Sequence, residues 1–326
     1  MKIDIHGHFT PRAYYDELET IPGVTMDRRP GGISFLYRNG LQWLPFNDAM
    51  FDPDHQLRDM DRKQIDIRVL SLSTPSVYLF DSPRRVQVCR LMNDLIIDRV
   101  RRNPDRFRAF ATLPLPDVDA ALEELERVRH AQGIVGITIG SNMDGLPLSS
   151  PSLEPLWLAL NALKIPVFEH PMVPVFADAM DEFTLPMRVG FFYDTSLAMS
   201  RMIYAGVFER YPDFPFVVAH TGACFLDLME RLDSGFLRYP DCQKFITRRP
   251  SEYAKRLYYD TCSFFPPLIM MAHQYFGRDR ILFGTDYPFI DQDDAHVREL
   301  PLPESDKALI LGGNAASMLQ LTGQKG

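Results

Sequence analysis

The sequence predicts an α/β fold: a (β/α)8 TIM barrel carrying a small β-hairpin insertion after its first strand. Three observations lead there. Eight short β-rich runs alternate with helical patterns along 326 residues, and such alternation implies a parallel sheet wrapped by helices. No glycine-rich phosphate loop follows the first run, as the alternative, an open doubly wound sheet, usually requires. Metal-competent or proton-transferring side chains end several of the runs, and the active site of a closed barrel lies at the C-terminal ends of its strands.

The expected strands are Lys2–Gly7, Ile67–Ser71, Phe107–Thr112, Val135–Ile139, Pro166–Glu169, Phe216–Ala219, Leu257–Asp260 and Ile281–Gly284. Between them, Asp52 and Pro53 read as N-cap and first residue of a helix carrying Leu57, Met60 and Ile65. Ser82 and Pro83 repeat that signal before the stripe Val88, Leu91, Met92, Leu95, Ile96. Val118, Ala121, Leu122 and Leu125 form another stripe, with Gly133 as its stop. Leu153–Leu163 and Ser305–Leu311 continue the series. Thr20–Asn47 breaks it: "RRPGGIS" and "YRNGLQW", with an Asn39–Gly40 turn, read as a hairpin insertion at the mouth. Residues 1–326 are expected to form one domain, without repeats or linkers.

Composition narrows the partners. Hydrophobic residues make up 46% of the chain, enough for a large core, and the net charge is −8. An acidic surface argues against nucleic acid. No run approaches the roughly 18 apolar residues of a membrane span, and no basic region followed by an apolar stretch suggests a secretory leader. The four cysteines, Cys89, Cys224, Cys242 and Cys262, lack CxxC spacing, as expected of a reduced cytoplasmic protein.

The chemistry begins with "KIDIHGHF". Alternate residues of a strand share a face, so Asp4, His6 and His8 point together into the barrel while Ile3 and Ile5 face the helices. A buried carboxylate with two imidazoles is costly unless a cation or a partner resolves it. A divalent metal would do so, with Asp4 orienting one imidazole from behind. "IPVFEHP" ends a strand in His170, "FPFVVAHTG" in His220 and "RILFGTDYP" in Asp286. Each has an ordinary structural explanation alone; together they mark one metal site. His55 and His130 fall on helices, facing solvent, and His273 and His296 read as structural. Asp260, Thr261 and Cys262 follow the seventh strand at the same mouth. Phe80, Phe191, Phe264 and Phe289 lie in strand-to-helix loops, as pocket wall or core.

These residues in this order resemble the amidohydrolase superfamily. The closer likeness is to its decarboxylase-rich branch, which includes the 2-amino-3-carboxymuconate 6-semialdehyde decarboxylases. "GVFERYPDFPFVVAH", "RRPSEYAKRLYYDT", "DRILFGTDYPF" and "GGNAASML" carry it, along nearly the whole chain. The resemblance implies one divalent metal, usually zinc, held by His6, His8, His170 and Asp286, with His220 as acid/base; manganese also accepts this ligand set. It implies no carbamylated lysine, because Lys164 precedes its strand. It also implies a homodimer, with Phe236–Tyr239 as a candidate contact.

Two departures stand out. "HTGACF" replaces a glycine-rich run after His220, and "LQWLPFNDAMFDP" offers Trp43 and Leu44 where the resemblance expects a carboxylate-binding arginine. Trp43, Leu44, Phe289 and Cys224 are the candidate substrate contacts. Arg38, Arg84 or Arg238 of a partner subunit remain for the carboxylate. The expected activity is non-oxidative decarboxylation of a small aromatic or dienoic acid, with His220 or Asp286 moving the proton. The same site would also suit hydrolysis of a lactone, amide or related bond by an activated water. A non-catalytic barrel would have lost ligands, and none is missing.

Overall fold

The computed structural model describes residues 1–9, 11–29 and 31–321. Its central sheet has eight parallel strands: β1 (Ile3–Phe9), β2 (Ile67–Leu72), β3 (Phe107–Ala111), β4 (Ile134–Gly140), β5 (Val167–His170), β6 (Phe216–Val218), β7 (Tyr258–Asp260) and β8 (Ile281–Leu282). Each pairs with its neighbours in chain order. The first and last strands close the barrel: Ile5 donates its N–H to the Phe283 carbonyl at 2.9 Å, and His8 donates to the Tyr287 carbonyl at 2.7 Å. Every expected strand is present, within a few residues at the ends.

Side-chain alternation sorts β1 as anticipated. Ile3 and Ile5 join a buried cluster that extends to Ala315 and Ala316 of the C-terminal helix, Asn314–Met318. Asp4, His6 and His8 are all buried. Phe168 of β5 sets its ring against His6 at 4.9 Å and stacks on Phe110 of β3 at 5.6 Å. An apolar layer therefore closes the barrel interior next to the histidines.

Helix starts are resolved unequally. Asp52 accepts from the Asp54 N–H and caps Pro53–Arg62, with Pro53 at its first position. The Ser82–Pro83 signal is displaced: the helix runs Arg84–Arg102 with Pro83 as a cap lacking a side-chain bond. A short helix, Arg12–Leu18, precedes the insertion, and helix Phe191–Tyr204 follows a π-turn at Pro186–Gly190. Neither has the extended stripe that marks the longer helices in the sequence.

The insertion is larger than a hairpin. Val24–Asp27, Ser34–Arg38 and Leu41–Phe46 form a three-stranded antiparallel sheet. Asn39 and Gly40 turn the chain with φ of 52° and 84°, the left-handed pair a two-residue hairpin needs. Arg38 fastens this sheet to the loop after β4 through Asp144 at 2.8 Å.

Candidate metal centre

β1, β5, β6 and β8 deliver five side chains to one point at the barrel mouth. The donor atoms of His6, His170, His220 and Asp286 all lie within 4.8 Å of one another. His8 reaches the same point: its Nε2 is 3.1 Å from His6 Nε2 and 3.2 Å from Asp286 Oδ1. All five are at most 7% exposed.

The imidazoles share one arrangement. His6 directs Nδ1 at Asp260 Oδ2, 2.6 Å away. His8 directs Nδ1 at Ser71 Oγ, 3.3 Å away, and His170 directs Nδ1 at the Pro171 carbonyl, 3.0 Å away. The Asp260 carboxylate and the Pro171 carbonyl, which can only accept, favour a proton on Nδ1 of His6 and His170 and leave Nε2 with its lone pair, and the Ser71 hydroxyl is compatible with the same tautomer of His8. For His6 and His8 those lone pairs face each other and the Asp286 carboxylate. Imidazole nitrogens and a carboxylate oxygen, converging with no proton of their own to share, fit a divalent cation.

The electrostatics agree for His170 and His8. Burial, reinforced by the surrounding histidines, holds His170 well below the usual imidazole pKa, so it is neutral at physiological pH. Burial also lowers His8, against the pull of Asp286. For His6 burial works the same way but is outweighed by Asp260 and Asp286, and its pKa is raised. Burial opposes the Asp286 charge, yet His220, His6 and His8 hold its carboxyl well below the ordinary value.

Backbone geometry at the mouth is unusual. His220, Thr221 and Asp286 have φ of 54°, 58° and 55°. Non-glycine residues held in this region cost about 1–3 kcal/mol each and concentrate at functional sites.

Asp4 does not orient an imidazole. It accepts from Arg68 Nε at 2.7 Å, from Thr285 Oγ1 at 2.6 Å and from the Thr285 N–H at 3.0 Å. Arg68 in turn donates to Asp59 at 2.8 Å. Asp4 is thus neutralised by a buried cation and ties β1 to the segment after β8, while Asp260 takes the role expected of it. Arg68 needs the space that Gly7 leaves: a Cβ on Gly7 would come within 2.5 Å of its side chain.

The remaining candidates divide. Phe289 stands 5.4 Å from the His8 ring. Trp43 lies under the Arg38 guanidinium at 5.2 Å and lines a cavity of about 240 Å³ with Leu79 and Met172. Met172 also lines the cleft beside His170. Leu44 is buried in the inserted sheet opposite Leu36. Cys224 is exposed and touches Ser196 through its N–H. Arg38 and Arg84 are engaged, with Asp144 and Glu17, and Arg238 is on the surface. His130 is exposed, and His273 pairs with Asp306. His55 is partly exposed, and its Nδ1 meets the Tyr287 hydroxyl at 2.9 Å. His296 is buried against Thr261 at 2.9 Å. The aromatic wall gains a residue that carried no signal in the sequence, Phe192, stacked on His220 at 5.5 Å. Phe191, 6.3 Å from the His170 ring, joins it.

Comparison with known proteins bears on the chain as a whole. The amidohydrolase family model matches residues 3–321. A 2-amino-3-carboxymuconate-6-semialdehyde decarboxylase of Dictyostelium discoideum is 30% identical, covering 100% of this chain and 93% of its own. A gamma-resorcylate decarboxylase of Rhizobium radiobacter is 29% identical over 87% of this chain and 92% of its own. Among solved structures, a dihydroxybenzoic acid decarboxylase of Polaromonas with bound manganese and 2-nitroresorcinol aligns with a TM-score of 0.79 at 26% identity. It covers 98% of this chain and 97% of that one. The 5-carboxyvanillate decarboxylase of Sphingomonas paucimobilis aligns at 0.85 and 25% identity, covering 98% of each chain.

Proposed function

The chain belongs to the amidohydrolase family, and from that membership we propose that it is a metal-dependent non-oxidative decarboxylase of a small aromatic or dienoic carboxylic acid. The observation that carries the reading is the likeness, along almost the full chain, to decarboxylases of such acids. The ligand set alone would serve hydrolysis equally well. The aromatic side chains Phe191, Phe192 and Phe289 around the histidines suit a flat, conjugated substrate.

His6, His8, His170 and Asp286 are the proposed ligands, and zinc the proposed metal, with manganese as the alternative. A divalent cation held by these residues would supply Lewis acidity to the substrate. His220 Nε2, 3.7 Å from Asp286 Oδ2, is the proton donor. It protonates the ring or diene carbon that bears the carboxylate, which interrupts conjugation. The carbon–carboxylate bond then breaks, carbon dioxide leaves, and the bonding electron pair restores the conjugated system. Asp286 faces both His220 and the other histidines. Phe192, flat against the His220 ring, keeps that ring aimed.

Trp43 and Phe289 are proposed as walls of the substrate space. The four cysteines are all free, in keeping with a reduced cytoplasmic setting. Among the described residues, no helix is long and apolar enough to cross a membrane. Residues 1–326 are proposed as one domain. A homodimer is proposed, supported by the exposed apolar residues Val175, Phe183 and Val189 between β5 and helix Phe191–Tyr204, and by Leu237 and Tyr239.

The test is incubation of zinc- and manganese-loaded protein with ortho-hydroxy aromatic acids, carboxymuconates and lactones, following carbon dioxide and ring opening together. Carbon dioxide release that disappears in His220→Ala is the expected result. Ring opening without carbon dioxide would replace decarboxylation with hydrolysis.

A further inference from the structure

We propose that Asp260 is a positioning residue that locks His6 in the tautomer able to bind metal, and that it does so through its charge rather than its shape. The proposal rests on the reading of His6 as a ligand. His6 and Asp260 come from opposite ends of the chain, β1 and β7, and both are fully buried. The 2.6 Å contact joins His6 Nδ1 to Asp260 Oδ2. The other carboxylate oxygen accepts the N–H groups of Thr221 at 3.1 Å and Cys262 at 2.9 Å. Asp260 is therefore held by two backbone donors on one side and presents a pure acceptor on the other. An ionised carboxylate has no hydrogen to give, so the His6 proton must sit on Nδ1 and the lone pair on Nε2, facing His8 and Asp286.

The three imidazoles differ in this respect. His8 meets a serine hydroxyl, which can donate or accept, and His170 meets a neutral carbonyl. Among the described residues, His6 alone of the three has a carboxylate on Nδ1. Carboxylates placed behind metal-binding histidines raise ligand basicity, and their loss typically weakens metal binding 10–100-fold. Asp260 also anchors Thr221, one residue past His220, in a stretch where both residues have positive φ. One carboxylate thus steadies both a proposed ligand and the proposed proton donor.

Asp260→Asn separates charge from shape. The amide oxygen keeps accepting from Thr221 and Cys262, which turns the NH2 toward His6. That group donates to Nδ1, moves the imidazole proton to Nε2 and removes the lone pair a cation needs. Asp260→Ala loses the backbone anchor but leaves His6 free to take either tautomer. The expected order is therefore unusual: the isosteric variant is at least as damaging to metal binding as the truncation. A purely structural role predicts the reverse, a mild Asn and a severe Ala.

The experiment is zinc affinity by competition with a chromophoric chelator, for wild type, Asp260→Asn and Asp260→Ala, with thermal unfolding of each metal-free protein. The expected result is a loss of about 10–100-fold for Asp260→Asn with metal-free unfolding close to wild type. Zinc affinity within about threefold of wild type in folded Asp260→Asn would overturn the proposal. So would two zinc ions per wild-type chain falling to one in Cys262→Ser, because His6, Asp260 and Cys262 would then be a ligand group of their own. Should Asp260→Asn fail to fold, nitrogen-15 histidine spectra of metal-free wild type decide the matter. A His6 proton on Nδ1 supports the proposal, and one on Nε2 ends it. Wild-type protein that binds no zinc or manganese would refute the metal centre itself, a failure distinct from all of these.

Discussion

The floor of the site and its wall are built by different rules. The floor is His6, His8, His170, His220 and Asp286, carried by or directly following barrel strands, with each imidazole or carboxylate buried and held by partners. The proposed wall is Phe289, Phe191, Phe192 and Trp43, carried by loops, a helix start and the inserted sheet. Strands fix a side chain's direction through alternation and hydrogen-bonded neighbours, whereas loop residues vary without disturbing the barrel. The comparison predicts that chemistry and selectivity are separable here. Floor substitutions should abolish function, and wall substitutions should redirect it.

The largest expected effect is on the floor. His170→Ala should reduce zinc affinity by more than about a hundredfold, beyond the range for a supporting residue, and activity with it; chelator competition measures the first. His220→Ala should lower turnover by about 10²–10⁴-fold, the usual contribution of a general acid, with zinc affinity kept within a few-fold. Loss of zinc in that variant would move His220 from proton donor to ligand, in place of His8, and redraw the floor.

Beneath the floor, Asp59 pairs with Arg68 and Lys63. Burial opposes its charge, but Arg68 and Lys63 prevail and its carboxyl sits below the ordinary value of 3.8. A carboxyl depressed in the folded state contributes stability above about pH 3.8, lost as the pH falls through its folded value. Asp59→Asn should therefore cost about 3 kcal/mol at neutral pH, the cost of breaking a buried pair. It should also flatten the acid limb of stability below about pH 4, as read by urea unfolding at a series of pH values. An unchanged acid limb would show that the floor does not rest on this pair.

The wall should give the smallest effects. Phe289→Leu and Trp43→Leu should raise KM by less than about tenfold, some 1.4 kcal/mol, with kcat little changed, and should alter the ranking of substrates. A kcat collapse in either would erase the distinction between floor and wall.

The floor was legible in the sequence because its residues sit at fixed phases of strands: "IHGH" and the strand-ending His170, His220 and Asp286 announce themselves by position. What stayed hidden depends on pairings across the chain. His6 finds Asp260, 254 residues away, while the adjacent Asp4 is claimed by Arg68, 64 residues away. Local pattern reveals which side chains face inward but not which of them meet. The third strand of the insertion, Val24–Asp27, was missed because "VTMD" is too short and too weakly alternating to stand out. Phe192 was missed because nothing in "GFFYD" says which of two adjacent aromatic rings will lie on a histidine.

Gly7 between the two histidines carries a last consequence. Its missing side chain is the space occupied by the Arg68 stem, and Arg68 neutralises Asp4, which clasps the segment after β8 at Thr285, the residue before Asp286. Positions 7 and 68 therefore form a single unit of inheritance. Across the lineage of this protein, a larger residue at 7 should arise only together with a shorter one at 68, and a change at either alone should be purged by selection.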